Sequence, residues 1–180
     1  HLSAAAAMFS WILLEYLKNG KPSLVGASTG LVAGLVAITP GAGFVSTWSA
    51  VIIGLLVSPV CFYAIAIVKH KLGYDDALDA FGCHGVGGIF GGIVTGLFTT
   101  PELALDPDNI GLIYGNPRLF LVTIAAIVFT IVWSAGMTFV LIKGISFFMP
   151  LRVSDREEVV GLDDTEHGET AYPTFMGLDS

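Results

Sequence analysis

Read from its first residue, the chain alternates between long apolar stretches and short polar interruptions. Apolar residues dominate positions 2–17, 23–39, 44–68, 77–98 and 119–149. The first breaks carry Lys18, Asn19, Lys21 and Pro22, then the uncharged Pro40-Gly41-Ala42-Gly43, then Lys69, His70 and Lys71. Stretches of roughly 17–25 apolar residues cross a bilayer core as helices. The pattern predicts an all-α polytopic membrane protein with five transmembrane helices within residues 1–150 and a polar tail over 151–180. The first span is short, about 24 Å at 1.5 Å per residue. With His1 at the start and no basic flank before the first apolar run, this reads as a chain beginning inside a longer protein. The last span, about 46 Å if fully helical, exceeds the hydrocarbon core and must tilt, bend or project. Pro59 predicts a kink in the third span, and Pro150 ends the fifth. Residues 99–118 form the longest loop. Its Asp106-Pro107-Asp108-Asn109-Ile110-Gly111 run opens like a calcium loop and fails, with Ile110 at the fifth position and Pro117 at the twelfth.

Composition agrees with lipid as the solvent: 54% of the 180 residues are apolar and 13% charged. The 22 glycines fall inside apolar segments, with Gly26, Gly30 and Gly34 in the second span and Gly88, Gly92 and Gly96 in the fourth. Four-residue glycine spacing is how helices approach closely in membranes. Formal net charge is −7, and the tail supplies −6 of it through eight acidic and two basic residues. The absence of a basic run excludes nucleic acid as a partner. With five spans, Lys18, Lys21, Lys69, Lys71, Lys143, Arg152 and Arg156 share the side of the tail, and Arg118 alone faces the other. The excess of basic residues puts the tail in the cytoplasm. Cys61 and Cys83 both lie in spans and read as buried thiols; the position a CxxCH haem site would need is Ala80.

The chemistry concentrates in residues 75–98, DDALDAFGCHGVGGIFGGIVTGLF. An ionisable side chain inside a span is expensive, so His84 is the first functional candidate. At helical spacing Gly87, Gly88 and Gly91 fall within about 60° of it, leaving the imidazole on a bare strip of backbone. Such a strip admits another helix or leaves a narrow channel. A neutral imidazole has one donating and one accepting nitrogen, so it can bind a small polar solute or pass a proton without a fixed charge. The alternative is a histidine bonded to a backbone carbonyl or to a neighbouring helix. No second ligand shares its face, so no metal site is read here.

Asp75 and Asp76 suit a helix N-terminus. Asp79, a turn deeper and roughly 140° from His84 on a regular helix, is expected to have a specific partner such as amides of a neighbouring helix. Ser28, Thr29 and Thr39 could line a polar pathway, against the commoner bonding of each hydroxyl to its own helix. Trp48 and Trp133 read as anchors or packing. In the tail, Gly161-Leu162-Asp163-Asp164-Thr165-Glu166-His167-Gly168-Glu169-Thr170-Ala171-Tyr172 is too patterned for a solvated charge run. Gly161 and Gly168 suggest turns, Leu162 and Tyr172 something to bury, and the whole a docked cytoplasmic segment.

These residues carry a resemblance. Asp79, Phe81-Gly82, His84-Gly85-Val86 and Gly88 resemble the penultimate span of the ammonium transporter family. Pro22-Ser23-Leu24 with the glycines after it, Thr39-Pro40, and Thr130-Ile131-Val132-Trp133-Ser134 resemble neighbouring spans, and the run from Gly161 to Tyr172 resembles that family's cytoplasmic tail. The resemblance implies a homotrimer of eleven-helix subunits, each with its own pore, built from two inverted repeats and a long final helix. The five spans would be helices seven to eleven. His84 would be the second of two paired pore histidines, with Thr29 and Thr39 along the pathway and Asp79, Gly85 and Gly88 supporting it. The implied solute is ammonium or ammonia, crossing a plasma or inner membrane with no cofactor. The first histidine, the aromatic gate and the outer recruitment site belong to helices one to six, outside this chain, so the isolated polypeptide is expected to conduct nothing by itself.

Two other readings stay open. A Rhesus-type gas channel shares the architecture, although the tail and fourth span favour ammonium transporters. The segment could instead serve mainly in regulation, through Gly161, Asp163, Thr165, His167 and Gly168, by coupling subunits and meeting a PII-type signal protein at the cytoplasmic face. Thr165, flanked by acids, would then be a phosphorylation candidate. An enzyme is not indicated, since no nucleophile–base pair or phosphate loop occurs.

Overall fold

The computed structural model describes residues 1–169, and within them the chain is almost entirely helical. Helix α1 is Leu2–Asn19, closed by Gly20 in the left-handed region (φ 74°). Helix α2 is Leu24–Ile38, begun by Ser23, whose hydroxyl accepts from the Gly26 amide, and followed by a 3-10 turn over Thr39–Gly41. Helix α3, Thr47–Tyr63, continues through a π-helical turn, Ala64–Lys69, into the short α4, His70–Leu72. A second π turn, Phe81–Gly85, leads into α5, Val86–Phe98. Helix α6 is Pro117–Ser146 and α7 is Asp155–Val160.

Among the described residues, Leu24–Gly41, Thr47–Leu72, Phe81–Phe98 and Pro117–Ser146 are long and apolar enough to cross a membrane. Helix α1 carries Glu15, Lys18 and Asn19 near its end and does not reach that apolarity, so four of the five anticipated spans meet the requirement.

The chain divides into two compact units, residues 1–131 and 132–180. In the first, α1 is seated against α2 and α3 on the predicted glycines. A Cβ on Gly30 would lie 2.5 Å from Trp11 Cβ, and one on Gly34 would lie 2.6 Å from both Ala7 Cβ and the Ser3 carbonyl. The core consists of small and medium side chains, with Ala7, Ala33, Ala37, Val57 and Cys61 fully buried, and Trp11 set edge-on to Phe62 at 5.4 Å between centroids. Without a hydrophobic force between helices in lipid, close backbone approach and interhelical hydrogen bonds hold such a bundle. Three serines supply bonds: Ser3 to the Gly34 carbonyl (2.9 Å), Ser58 to the Ala7 carbonyl (2.6 Å) and Ser10 to the Leu55 carbonyl (2.9 Å).

The last of these answers Pro59. A proline has no N–H, so the carbonyl four residues before it, Leu55, loses its helical donor. Ser10 of α1 provides one from outside the helix. The expected disturbance of the third span thus appears as a donor supplied from α1 and a π turn just beyond, where the ladder widens.

At the far end of α5, Thr99 pairs with Val45 as an isolated antiparallel bridge, and the Thr100 amide donates to the Phe44 carbonyl (2.9 Å). Gly92 and Gly96 of the second ladder receive Ile127, Thr123 and Phe120 of α6.

The second unit contains the latter part of α6 and the start of the tail. Helix α7 opens with a capping box: the Ser154 hydroxyl accepts from the Glu157 amide, and the Glu157 carboxylate accepts from the Ser154 amide (2.7 Å).

Candidate functional site

The site is organised by the connection between α4 and α5. Gly73, in the left-handed region (φ 65°), ends α4 and lets the chain reverse. The Asp76 carboxylate then collects the amides of Ala80 (2.9 Å), Phe81 (3.0 Å) and Gly82 (3.4 Å), the donors that a helix start leaves unpaired. This is the N-terminal role read from sequence, and Asp76 fills it.

Asp79 departs from its expected place. The fourth span was read as helical from residue 77, but the π turn begins at Phe81, and Asp79 lies before it with φ 55°. The angular argument that set Asp79 at roughly 140° from His84 therefore does not apply. Its partner is a cation, not amides: Lys69 Nζ donates to Asp79 Oδ1 at 2.7 Å and also to the Asp76 carbonyl. Sequence reasoning missed Lys69, counting it only toward membrane orientation. The signal available was a lysine at a span end, ten residues from an aspartate, across a turn that could bring them together.

His84 sits in the π turn and is exposed, opening onto a groove of about 550 Å³ between the start of α2 and the start of α5. One wall is Leu24, Val25 and Val32 with the hydroxyl residues Ser28 and Thr29; the other is Leu78, Ala80, Cys83 and His84. No charged side chain lines it. The Thr29 hydroxyl donates to its own helix at the Val25 carbonyl (2.9 Å), so toward the groove it offers lone pairs. Cys83, read from sequence only as a buried thiol, lies against α2 with Sγ 3.9 Å from the Thr29 carbonyl.

The strip expected to be bare beside His84 is divided. Gly91 is pressed on α2, where a Cβ would come 2.5 Å from the Ala37 carbonyl, and Gly87 meets Val36 and Cys61 at ordinary contact distance. Gly88 has nothing within 4 Å, and the Phe81 ring lies over Gly85. Gly82 is a further close approach, with Ile65 of the first π turn where its side chain would be. Thr39 is not brought to this groove. It lies ten residues along α2 from Thr29, about 15 Å, and bonds to the Leu35 carbonyl (2.7 Å). The helix rise thus separates Thr39, just past the end of α2, from Thr29 in its second turn.

The tail candidates form a local unit. Gly161 (φ 108°) and Gly168 (φ 64°) hold conformations that side-chain-bearing residues resist, so both turns read from sequence are present. Asp163 and His167 bound a π turn; the Thr165 hydroxyl donates to the Gly161 carbonyl (3.0 Å), and the Asp163 carbonyl accepts from the Glu169 amide. Thr170, Ala171 and Tyr172 lie outside the described residues. Among the described residues, no three His, Cys, Asp or Glu side chains are placed to hold a metal ion.

Comparison with known proteins matches residues 1–172 to the model of the Ammonium Transporter Family. The ammonium transporter of Bacillus subtilis (strain 168) is 50% identical over 174 residues, covering 97% of this chain and 43% of that protein. The ammonium transporter of Aquifex aeolicus (strain VF5) is 46% identical, covering 95% of this chain and 40% of that protein. Among solved structures, Saccharomyces cerevisiae Mep2 superposes with a TM-score of 0.78 at 33% identity, over 86% of this chain and 36% of its own. A structure described as a sensor Amt protein gives 0.80 at 27% identity, over 92% of this chain and 40% of its own. The chain thus spans about two-fifths of the length of the curated relatives it matches.

Proposed function

Because this chain belongs to the Ammonium Transporter Family, we propose that it forms one side of a pore moving ammonium or ammonia across a membrane. In this reading the first five long helices, α1 to α6 with α3 and α4 as one, are helices seven to eleven of a subunit, the second inverted repeat plus the final helix. The observation that carries the reading is His84 opening onto an apolar groove that no charged side chain lines. Removing water from a cation costs far more than removing it from a neutral molecule of the same size. Walls such as Leu24, Val25 and Val32 therefore favour ammonia or a separated proton over the intact ion. His84 supplies what apolar walls lack, a donor and an acceptor at one point, with the Thr29 oxygen as a second acceptor. By the family resemblance, a second imidazole comes from the part of the subunit preceding these residues.

Three further statements belong to the proposal. The subunit assembles as a homotrimer in a plasma or inner membrane and works in uptake. The tail is cytoplasmic, supported by the basic residues gathered on its side. Its Gly161–Gly168 turn unit is a regulatory element through which subunits couple and a PII-type signal protein is sensed.

The test is ammonium-dependent current, or methylammonium uptake, by the full-length parent in proteoliposomes, with His84→Ala beside it. Loss of transport or of selectivity in an intact oligomer is expected. Wild-type behaviour of His84→Ala would make the histidine structural and shift the case to the regulatory reading.

A further inference from the structure

The two π turns of the first unit face each other across the Gly82–Ile65 contact, and one ion pair joins the end of the first to the turn that leads into the second. Lys69, the last residue of the first π turn, reaches Asp79 Oδ1 (2.7 Å) and the Asp76 carbonyl. Asp79 is the only described residue besides glycines with positive φ. Its amide donates to the Asp76 carbonyl (3.1 Å), and its carbonyl accepts from the Cys83 amide (2.9 Å), next to His84. An L-residue resists the left-handed region unless the surroundings hold it there.

We propose that Lys69 is a positioning residue for the pore imidazole: paired with Asp79, it holds the left-handed turn that sets the phase of the π turn carrying His84. The inference rests on the pore reading above. A π turn holds one residue more than an α turn, so a chain released from this clamp can relax Asp79 toward the right-handed helix. Residues of the turn then re-phase by up to about 100°, one residue of an α-helix. The body of α5 stays where Gly91 on Ala37 and Gly92 on Ile127 hold it, so the displacement falls on residues 79–84. The pair is half-buried, at 21% and 35% side-chain exposure; its role is geometric, and the apolar groove gains no charge from it.

The experiment compares transport by the reconstituted full-length parent carrying Lys69→Met, Lys69→Arg, Lys71→Met, Asp79→Asn, Lys69→Met with Asp79→Asn, and His84→Ala. Asparagine tolerates the left-handed region, so Asp79→Asn removes the ion pair and spares the turn's steric preference. Misplacing a reacting group by about 1 Å costs up to a hundredfold, so Lys69→Met is expected to lower the maximal rate at least about tenfold in an intact oligomer. Lys69→Arg should retain most activity, exposed Lys71→Met should match wild type, and the double variant should lose no more than Lys69→Met alone. The proposal is overturned if Lys69→Met transports normally while His84→Ala does not, which leaves the pore reading standing. It is equally overturned if Lys69→Arg or Lys71→Met loses as much as Lys69→Met, because the effect then follows charge count or bulk, not the clamp. Normal transport by His84→Ala removes the pore reading and this inference together.

Discussion

Replacing Ser10 by alanine tests whether α1 repairs the break that Pro59 makes in α3. Ser10 is 9% exposed, and its hydroxyl lies 2.9 Å from the Leu55 carbonyl, which the proline leaves without its helical donor. Ser10→Ala removes that donor from a part-buried contact between the two helices. Interhelical hydrogen bonds of this kind contribute about 0.6 to 1.7 kcal/mol in membranes, and an unsatisfied buried acceptor costs about 1 to 3 kcal/mol. We therefore expect a loss near 1.5 kcal/mol in the Pro59 background. Pro59→Ala restores an N–H at position 59 that can donate to Leu55. In that background Ser10→Ala should cost no more than about 0.5 kcal/mol, giving a coupling of about 1 kcal/mol. Equilibrium unfolding of the full-length parent in mixed micelles, run on both single variants and the double, measures this directly. The cycle cancels whatever Pro59→Ala does by itself. Additivity within about 0.5 kcal/mol would refute the reasoning, as would a Ser10→Ala variant as stable as wild type.

Two further expectations concern packing and the tail. Gly91→Ala drives a methyl to 2.5 Å from the Ala37 carbonyl, and Gly88→Ala meets nothing within 4 Å. The first should destabilise by about 1 to 3 kcal/mol and the second should be neutral or gain up to about 1 kcal/mol from helix propensity; equal thermal stability of the two in detergent would contradict the packing. In the tail, the Ser154 hydroxyl and amide donate to the Glu157 carboxylate and hold its pKa below the ordinary 4.5. A depressed carboxylate contributes stability above its ordinary pKa and loses it as pH falls through the depressed value. Protection of the amides of residues 154–160, taken relative to their intrinsic exchange at each pH, should fall on acidification below about pH 4.5, and Glu157→Gln should flatten that dependence.

Much of this molecule is written in local pattern. A chain in lipid must satisfy its backbone internally and show apolar side chains outward, so runs of apolar residues and polar breaks suffice to locate helices. Glycines every four residues announced where helices would touch; Gly26, Gly30, Gly34, Gly92 and Gly96 do so, and Gly88 meets nothing within 4 Å. Asp76 marked a helix start by charge, and Gly161 and Gly168 marked turns by conformational freedom. The motif around His84 stood out as a candidate site for the same local reason, since an ionisable side chain within an apolar run is expensive.

What sequence left undetermined depends on phase and on neighbours. Reading residues 79–91 at 3.6 per turn assumes one regular helix, and a left-handed Asp79 followed by a π turn breaks that assumption. Asp79 thereby left the helix, and the glycine strip divided into Gly87 and Gly91 against α2 and an open Gly88. Lys69 as Asp79's partner, Ser10 as Leu55's donor, and Leu24, Val25 and Val32 as the wall opposite His84 lie 10 to 60 residues away in sequence. Thr39 shows the converse: Thr29 and Thr39 share a helix and a chemistry, yet the rise of 1.5 Å per residue keeps one from the groove the other lines. Local pattern sets which segments become helices, because solvation of the backbone is decided residue by residue. The pairing of a given side chain across helices is decided only when the bundle closes, because it depends on rotations and offsets that no single segment contains.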